Sequence, residues 1–432
     1  MYGLMGNTLQ SSLRSSLGAL VITALLPVVA VALVATSAEA WNPAVELSRA
    51  VGPCRYVTLT RDPVRGDIHV VWAERRDSHW AIWHRYWQSA ENRWGIPLPL
   101  TGFRHREQAP ALLFDEAGNG HLVWTRRYLA SEGGMSDGTD LVYRRWDGQS
   151  WSSEEIIHHE STYLSGPYGL VLVEEGNGIK LFVSYGLGFA QTEWSSGSWS
   201  PLSSWNWTLG IGIAAVVLDT KGNMHIAGYG ENSGKQQWDE FFSDAYYAMY
   251  NGDDWSAPVN LSSVDGAAYD MDLAFDGDGR LHFVWSDQGS PYSSETTQST
   301  VFERVLSDLQ WSANQPVIQF NAGQGVLDLE LKEDYAGGLH LAWSEGLLVD
   351  YAVTGLSIRY QWSSGNNWLQ EEHVHAGPFG SWNLSMDADE DAVYLAWEEW
   401  PYGSEAIHFS TTRSDIEPPR IFGAWLPSLL NE

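Results

Sequence analysis

The chain has 432 residues, a formal net charge of −30, one cysteine and 24 tryptophans. So acidic a surface excludes nucleic acid and anionic membrane as partners, because both need faces rich in Lys and Arg. A lone Cys54 excludes an intramolecular disulfide, so stability has to come from packing and closure.

At the N-terminus Arg14 precedes an apolar run from Leu17 to Ala35, and Ala38-Glu39-Ala40 supplies a small-x-small site before Trp41. Residues 1–40 therefore read as a cleaved signal peptide, which makes the mature protein secreted, extracellular or on the cell surface. Pro27 interrupts the run, against a membrane anchor, and no later segment is apolar enough to span a bilayer.

From Trp41 onward the chain repeats itself. Asp, Gly, His and Trp recur at steps of three: Asp115, Gly118, His121, Trp124; Asp276, Gly279, His282, Trp285; Asp334, Gly337, His340, Trp343. Asp62, Gly66, His69, Trp72 carry one extra residue in the turn, and Asp219, Gly222, His225 end on Gly228 where Trp would stand. Two copies are degenerate: Glu175, Gly178, Leu181, Ser184, and a last one around Asp387 that ends on Trp397. The spacing of roughly fifty residues signals a solenoid, propeller or array.

Each copy starts with a short apolar run. The Asp and Gly then make a tight turn, since Asp bonds its own backbone and Gly tolerates positive φ. A His-x-x-Trp strand returns, a third strand follows after a loop of variable length, and a fourth opens on Trp. Trp94, Trp151, Trp199, Trp255, Trp311 and Trp368 hold that last position. Trp41-Asn-Pro-Ala-Val-Glu-Leu-Ser48 matches Trp255-Ser-Ala-Pro-Val-Asn-Leu-Ser262, which places the N-terminal strand in the last copy. Trp425 is the rival for that seat. The fold predicted is all-β: a seven-bladed β-propeller of four-stranded antiparallel blades over residues 41–415, its N-terminal strand closing the last blade, with an apolar tail over 416–432.

The turns Gly148-Gln-Ser-Trp151, Gly252-Asp-Asp-Trp255 and Gly365-Asn-Asn-Trp368 carry a Gly-x-x-Trp half-motif. On these residues the repeat resembles the sialidase-like propellers with Asp-box (BNR) repeats. The Asp-x-x-Gly-x-x-His-x-x-Trp turn is also similar to repeats of propeller-type polysaccharide lyases. The resemblance implies a scaffold more than a chemistry. Sialidase chemistry, as it implies, needs an arginine trio from separate blades, a Tyr–Glu pair and an Asp; the arginines here are bunched in the first two copies.

The repeated histidines occupy one position in successive copies, so they cannot converge on one metal; they are expected to bond neighbouring turns. Asp276-Gly-Asp278 and Asp387-Ala-Asp389-Glu-Asp391 fall short of a calcium loop. No metal and no cofactor is predicted.

The variable loops share one face, and function lives on variable loops held by a rigid scaffold. Fourteen of the twenty-three Lys and Arg after residue 40 lie between Arg49 and Arg145. Arg75, Arg76, Arg104, His105, Arg106, Arg126 and Arg127 are expected to form a basic pocket on that face, with Tyr128 beside them. It would oppose a carboxylate arc over the fifth to seventh copies: Asp287, Glu345 and Glu399 stand two positions past the strand Trp, as Glu74 does in the first copy, with Trp400 beside the last. Tyr168, Tyr185, Trp205, Trp207, Tyr229, Trp238 and Tyr292 add aromatic surface. Arginine clusters take carboxylate or sulfate through bidentate bonds, and aromatic planes cover sugar faces. The reading is a secreted recognition module binding a glycan, acidic in character, or an extracellular protein. The alternative is a sialidase-like hydrolase or a polysaccharide lyase, with His105, Tyr128 and the adjacent arginines as its machinery.

Overall fold

The computed structural model describes residues 41–48, 52–128, 138–160, 169–185, 188–203, 210–231, 243–262, 268–288, 299–349, 352–364, 367–377, 380–400, 405–416 and 419. The expected signal peptide, nearly all of the expected tail, and Trp425 lie outside them. Among the described residues no helix is long and apolar enough to cross a membrane.

The chain folds as an all-β propeller, and the expected number of separate blades is corrected. Five discrete blades stand apart, each an antiparallel sheet of four or five strands. The strands of the first two sequence copies instead run together in one nine-stranded sheet. They join where Trp80, in strand His79–Gln88, bridges Arg106, in strand Arg106–Phe114, in parallel. The join exists because the Trp80 N–H donates to the His105 carbonyl at 2.9 Å, carrying the hydrogen-bond ladder from one copy into the next. A repeat pattern reports what lies within a copy; it does not report whether two copies share a ladder.

Val45–Glu46 pairs with Ala406–Thr411, Val45 opposite Phe409, so the start of the described chain completes the last blade. Trp41 seats there too, its Nε1 donating to Glu372 at 3.2 Å and its ring edge-on to Tyr360. The first strands contact one another in a closed circle, from Cys54–Arg61 through Arg106–Phe114, Gly169–Glu175, Ile211–Leu218, Ala268–Phe275 and Gln324–Glu333 to Gly380–Ala388 and back. They enclose an axial channel of about 610 Å³.

The repeated residues explain the blades. Asp115 Oδ1 accepts the Asn119 N–H at 2.7 Å, and Asp334 Oδ1 accepts the Ala336 and Gly338 N–H groups at 2.8 Å, so the Asp holds the turn. His121, His225, His282 and His340 are buried, lie near that Asp on one side and bond the third strand on the other, while His69 is buried and meets His84 of the third strand at 3.0 Å. His340 Nε2 is 3.0 Å from Asp334 and its Nδ1 2.7 Å from the Tyr360 hydroxyl. Nδ1 of His121 and His225 meet Tyr143 and Tyr247 at 2.9 and 2.8 Å. The strand tryptophans Trp72, Trp124, Trp285, Trp343 and Trp397 are fully buried. In the last blade Asp389 rather than Asp387 makes the turn, and Tyr394 takes the histidine's place, its hydroxyl donating to Asp389 at 3.0 Å. At Gly228 any Cβ would lie 2.2 Å from the Gly212 carbonyl, which is why the repeat has no Trp there.

Candidate functional site

The edge of the nine-stranded sheet opposite the Asp turns gathers most of the predicted basic residues. Antiparallel register sets Arg126 opposite Asp140 and Glu107, Arg127 opposite Thr139 and Arg106, and His159 opposite Asp140. The parallel bridge to Trp80 then brings the end of Ile68–Arg76 alongside. The first strand bulges near this edge between Gln108 and Ala111, with Ala109 at a φ of 50°. Bulges of this kind re-aim side chains at the rim of a sheet.

Arg126 sits at the centre of this edge. Its Nε donates to Glu107 Oε1 at 2.8 Å and its NH2 to Glu154 Oε2 at 2.7 Å, with 11% of its side chain exposed. Trp124 Nε1 donates to the other Glu107 oxygen at 2.6 Å. Burial pushes the Glu107 carboxyl up to about 7, against the pull of the Arg126 charge. Arg126 is thus a fixed cation framed by two carboxylates.

Beside it lies a ring cluster. The Tyr128 hydroxyl donates to Asp140, and the other Asp140 oxygen is 2.6 Å from His159 Nδ1. The His105 ring stands edge-on to Tyr128 with centroids 4.8 Å apart. Burial, then the Asp140 carboxylate, raises the Tyr128 phenol. Burial, then the charges of Arg126 and His79, lowers the His105 imidazole. Near neutral pH this leaves a protonated phenol and an uncharged imidazole side by side, next to a fixed cation. A proton donor, a proton acceptor and a cation is a set that suits either acid–base work or recognition of an anionic sugar.

Arg104 and Arg106 are exposed on the same edge, and Arg75 is exposed with its guanidinium 5.8 Å from the Trp80 ring. Arg127 Nε is buried with no hydrogen-bond partner among the described residues.

The glutamates expected at the loop rim are all paired. Glu74 pairs with Arg76 at 3.2 Å, Glu345 with Arg359 at 2.9 Å, and Glu399 with His375 at 3.2 Å and His408 at 3.5 Å. The His375 hydrogen bond and the His408 charge hold Glu399 below the usual glutamate range despite burial. Asp287 is buried in its strand. Glu74 and Glu345 close pairs within their own sheets, and Glu399 meets His408 in its own sheet and His375 in the preceding one, because a buried carboxylate left unpaired is costly. The Trp400 side chain, Tyr168, Trp205, Trp207, Trp238 and Tyr292 lie outside what the structure describes. Tyr185 is buried, and Tyr229 faces the axial channel.

The axis itself is acidic. Asp270, Asp272, Asp328 and Glu330 line the channel, and Lys332 Nζ is 3.4 Å from Glu330 Oε2. Burial pushes Asp270 and Glu330 up to about 7. The basic edge therefore lies to one side of an acidic axis. Among the described residues no group of three or more His, Cys, Asp or Glu is placed to hold a metal ion.

Sequence reasoning missed Glu107, Asp140, Glu154 and His159. Glu107 stands directly after Arg104-His105-Arg106, a signal in plain view. Asp140 and His159 are tied to Tyr128 only by strand register, which the sequence does not display.

No protein-family model matches the chain, and no curated protein matches its sequence. Solved structures match its fold. An ulvan lyase, described as a new family of polysaccharide lyase, aligns with a TM-score of 0.54 at 11% identity, over 83% of this chain and 94% of its own. A protein of unknown function from Dyadobacter fermentans aligns with a TM-score of 0.51 at 12% identity, over 71% of this chain and 94% of its own. A Trypanosoma rangeli sialidase reaches a TM-score of 0.45 at 10% identity, over 84% of this chain and 55% of its own. The first two are likenesses of propeller fold.

Proposed function

We propose that the protein binds an acidic glycan at the basic edge of the nine-stranded sheet. The observation that carries this reading is the collection, on one edge of a chain of net charge −30, of exposed Arg75, Arg104 and Arg106 around the fixed Arg126 and the His105–Tyr128 ring pair. Exposed guanidinium forks take carboxylate or sulfate in two parallel hydrogen bonds. Tyr128 and His105 offer edges and faces to the sugar ring. The acidic axis restricts a polyanion to this edge, since elsewhere it meets like charge. Secretion, expected from the apolar segment over residues 1–40, would suit an extracellular polysaccharide as ligand.

A second reading, β-elimination, is favoured by one observation: the neutral His105 next to the protonated Tyr128 and the Arg126 cation. In such a step the imidazole takes the proton from the carbon next to a uronate carboxylate, and an arginine offsets the charge on that carboxylate. The phenol protonates the departing glycosidic oxygen, leaving an unsaturated sugar. The ulvan lyase that shares the fold was solved bound to -[GlcA(1-4)Rha3S]-, a uronate-containing and sulfated chain. Fold alone does not transfer its chemistry.

The test is to incubate the chain with ulvan, alginate and polygalacturonate and to follow retention and ultraviolet absorbance of unsaturated product together. Retention that disappears in Arg104→Ala/Arg106→Ala supports binding, and product that disappears in His105→Gln supports elimination. Equal retention by wild type and the double arginine variant rejects the site.

A further inference from the structure

The fourth-strand tryptophans do a job beyond their own sheets, and one place departs from the rule. Each latches onto the third strand of the preceding copy. Tyr143 meets Trp199 edge-on at 5.2 Å, Tyr247 meets Trp311 at 4.9 Å, Tyr360 meets Trp41 at 5.2 Å and Phe409 meets Trp94 at 5.0 Å. His84 stacks edge-on to Trp151 at 5.3 Å and accepts its Nε1 hydrogen at 3.1 Å. Phe189 covers Trp255 at 5.4 Å. These contacts fill the seams between neighbouring blades with rings.

At the seam between strand Ser299–Ser307 and Trp368 the ring is replaced by a carboxylate. Glu303 lies opposite Val284 in the register that sets Tyr143 opposite Val123 and Tyr247 opposite Ala227. Glu303 accepts from Trp368 Nε1 at 3.2 Å and from His282 Nδ1 at 2.8 Å, while His282 Nε2 reaches Asp276 at 3.0 Å. Burial pushes the His282 imidazole down, but the Glu303 and Asp276 carboxylates on its two nitrogens outweigh it and hold it above the usual histidine range. A glutamate has no ring to set against Trp368, and a cleft of about 620 Å³ lies beside it. Arg280, Glu303, Gln310, Trp311, Gln315 and Trp368 line it.

We propose that this cleft is a second binding site, for a neutral sugar ring. The size falls within the range of small-ligand clefts, roughly 300–1,000 Å³. Two indole walls supply apolar surface for the C–H face of a sugar. Glutamine amides offer donors and acceptors together, as sugar hydroxyls require. Charge is balanced in place, since Arg280 pairs with Asp276 at 2.7 Å and His282 bridges Asp276 and Glu303. A neutral ring therefore fits where an ionic ligand would unbalance the seam. The cleft opens at the edge of the Asp turns, away from the basic edge, and the proposal is independent of the function proposed there.

The experiment is saturation-transfer NMR on the full chain with D-glucose, D-galactose, L-rhamnose, N-acetylglucosamine and cellobiose as probes. The expected result is transfer to at least one probe, lost in Glu303→Tyr, which refills the seam as at Tyr143 and Tyr247. Gln310→Ala, an exposed change that leaves packing alone, is expected to weaken the apparent Kd about tenfold, the worth of about 1.4 kcal/mol. Arg104→Ala/Arg106→Ala is expected to bind the neutral probe as wild type does. Absence of transfer to every probe overturns the proposal. So does transfer that survives Glu303→Tyr or, should that variant not fold, binding unchanged in Gln310→Ala.

Discussion

Arg126 shows how much a residue's role depends on its neighbours. Read alone, it is the middle of a basic run; in place, it is clamped between Glu107 and Glu154. Removing it as Arg126→Gln strands two carboxylates, one of them buried, and is predicted to cost about 3 kcal/mol of stability in chemical denaturation. Burial already pushes Glu107 up to about 7, and without the arginine it takes a proton more readily still. The deficit of the variant is therefore predicted to shrink as pH falls from 8 to 5; a deficit that grows contradicts the pairing. Arg104→Ala/Arg106→Ala, on exposed side chains, is predicted to change stability by less than about 0.5 kcal/mol while abolishing retention on acidic polysaccharide. Denaturation and retention measured on one preparation separate the structural arginine from the binding ones. The sequence offered all these arginines on equal terms, because burial and pairing arise only once strands are in register.

Within a single element, the Asp-x-x-Gly-x-x-His-x-x-Trp hairpin was the most legible feature of the chain. Asp needs its own turn N–H groups as partners, Gly needs positive φ, and Trp needs a core, so the pattern forces a hairpin with a buried indole. Trp285, fully buried against Phe283 and Phe302, is predicted to cost about 3–5 kcal/mol as Trp285→Ala. A change under about 1 kcal/mol by calorimetry contradicts a core role. The histidine's third-strand partner was hidden, because it changes type among Tyr, Glu and His and its separation runs from 15 residues, His69 to His84, to 22, His121 to Tyr143, as loops differ in length. The same blindness applied to the first two copies, which share a ladder through Trp80 and Arg106. Loop length and hydrogen-bond continuity are tertiary facts, and a periodic pattern carries neither.

For the molecule as a whole, the acidic axis sets a dependence on pH. Burial raises Asp270 and Glu330 to about 7 and raises Asp272, Asp328 and Asp387, with neighbouring carboxylate charges adding to Asp328. A carboxyl raised in the fold binds its proton more tightly there than in the unfolded chain, so protonation favours the fold. That contribution is present at low pH and lost as pH rises through about 7. Opposing it, burial holds His84 near 3 and His121 near 4, so both stay neutral in the fold and cost stability once pH drops below the ordinary histidine range. The melting temperature is thus predicted to rise as pH falls from 8 to 6.5 and then to level or drop. Asp270→Asn/Asp328→Asn is predicted to flatten the first limb, and an unchanged limb would place its origin outside the channel.

In the proposed function, ligand meets this propeller at one edge of the nine-stranded sheet, to the side of an acidic axis. Hydrogen–deuterium exchange with and without an oligosaccharide carrying uronate and sulfate groups tests that most directly. Protection is predicted in peptides covering residues 104–108, 126–128 and 139–142. Protection confined to the Asp turns or to the channel strands, with that edge unchanged, would contradict it.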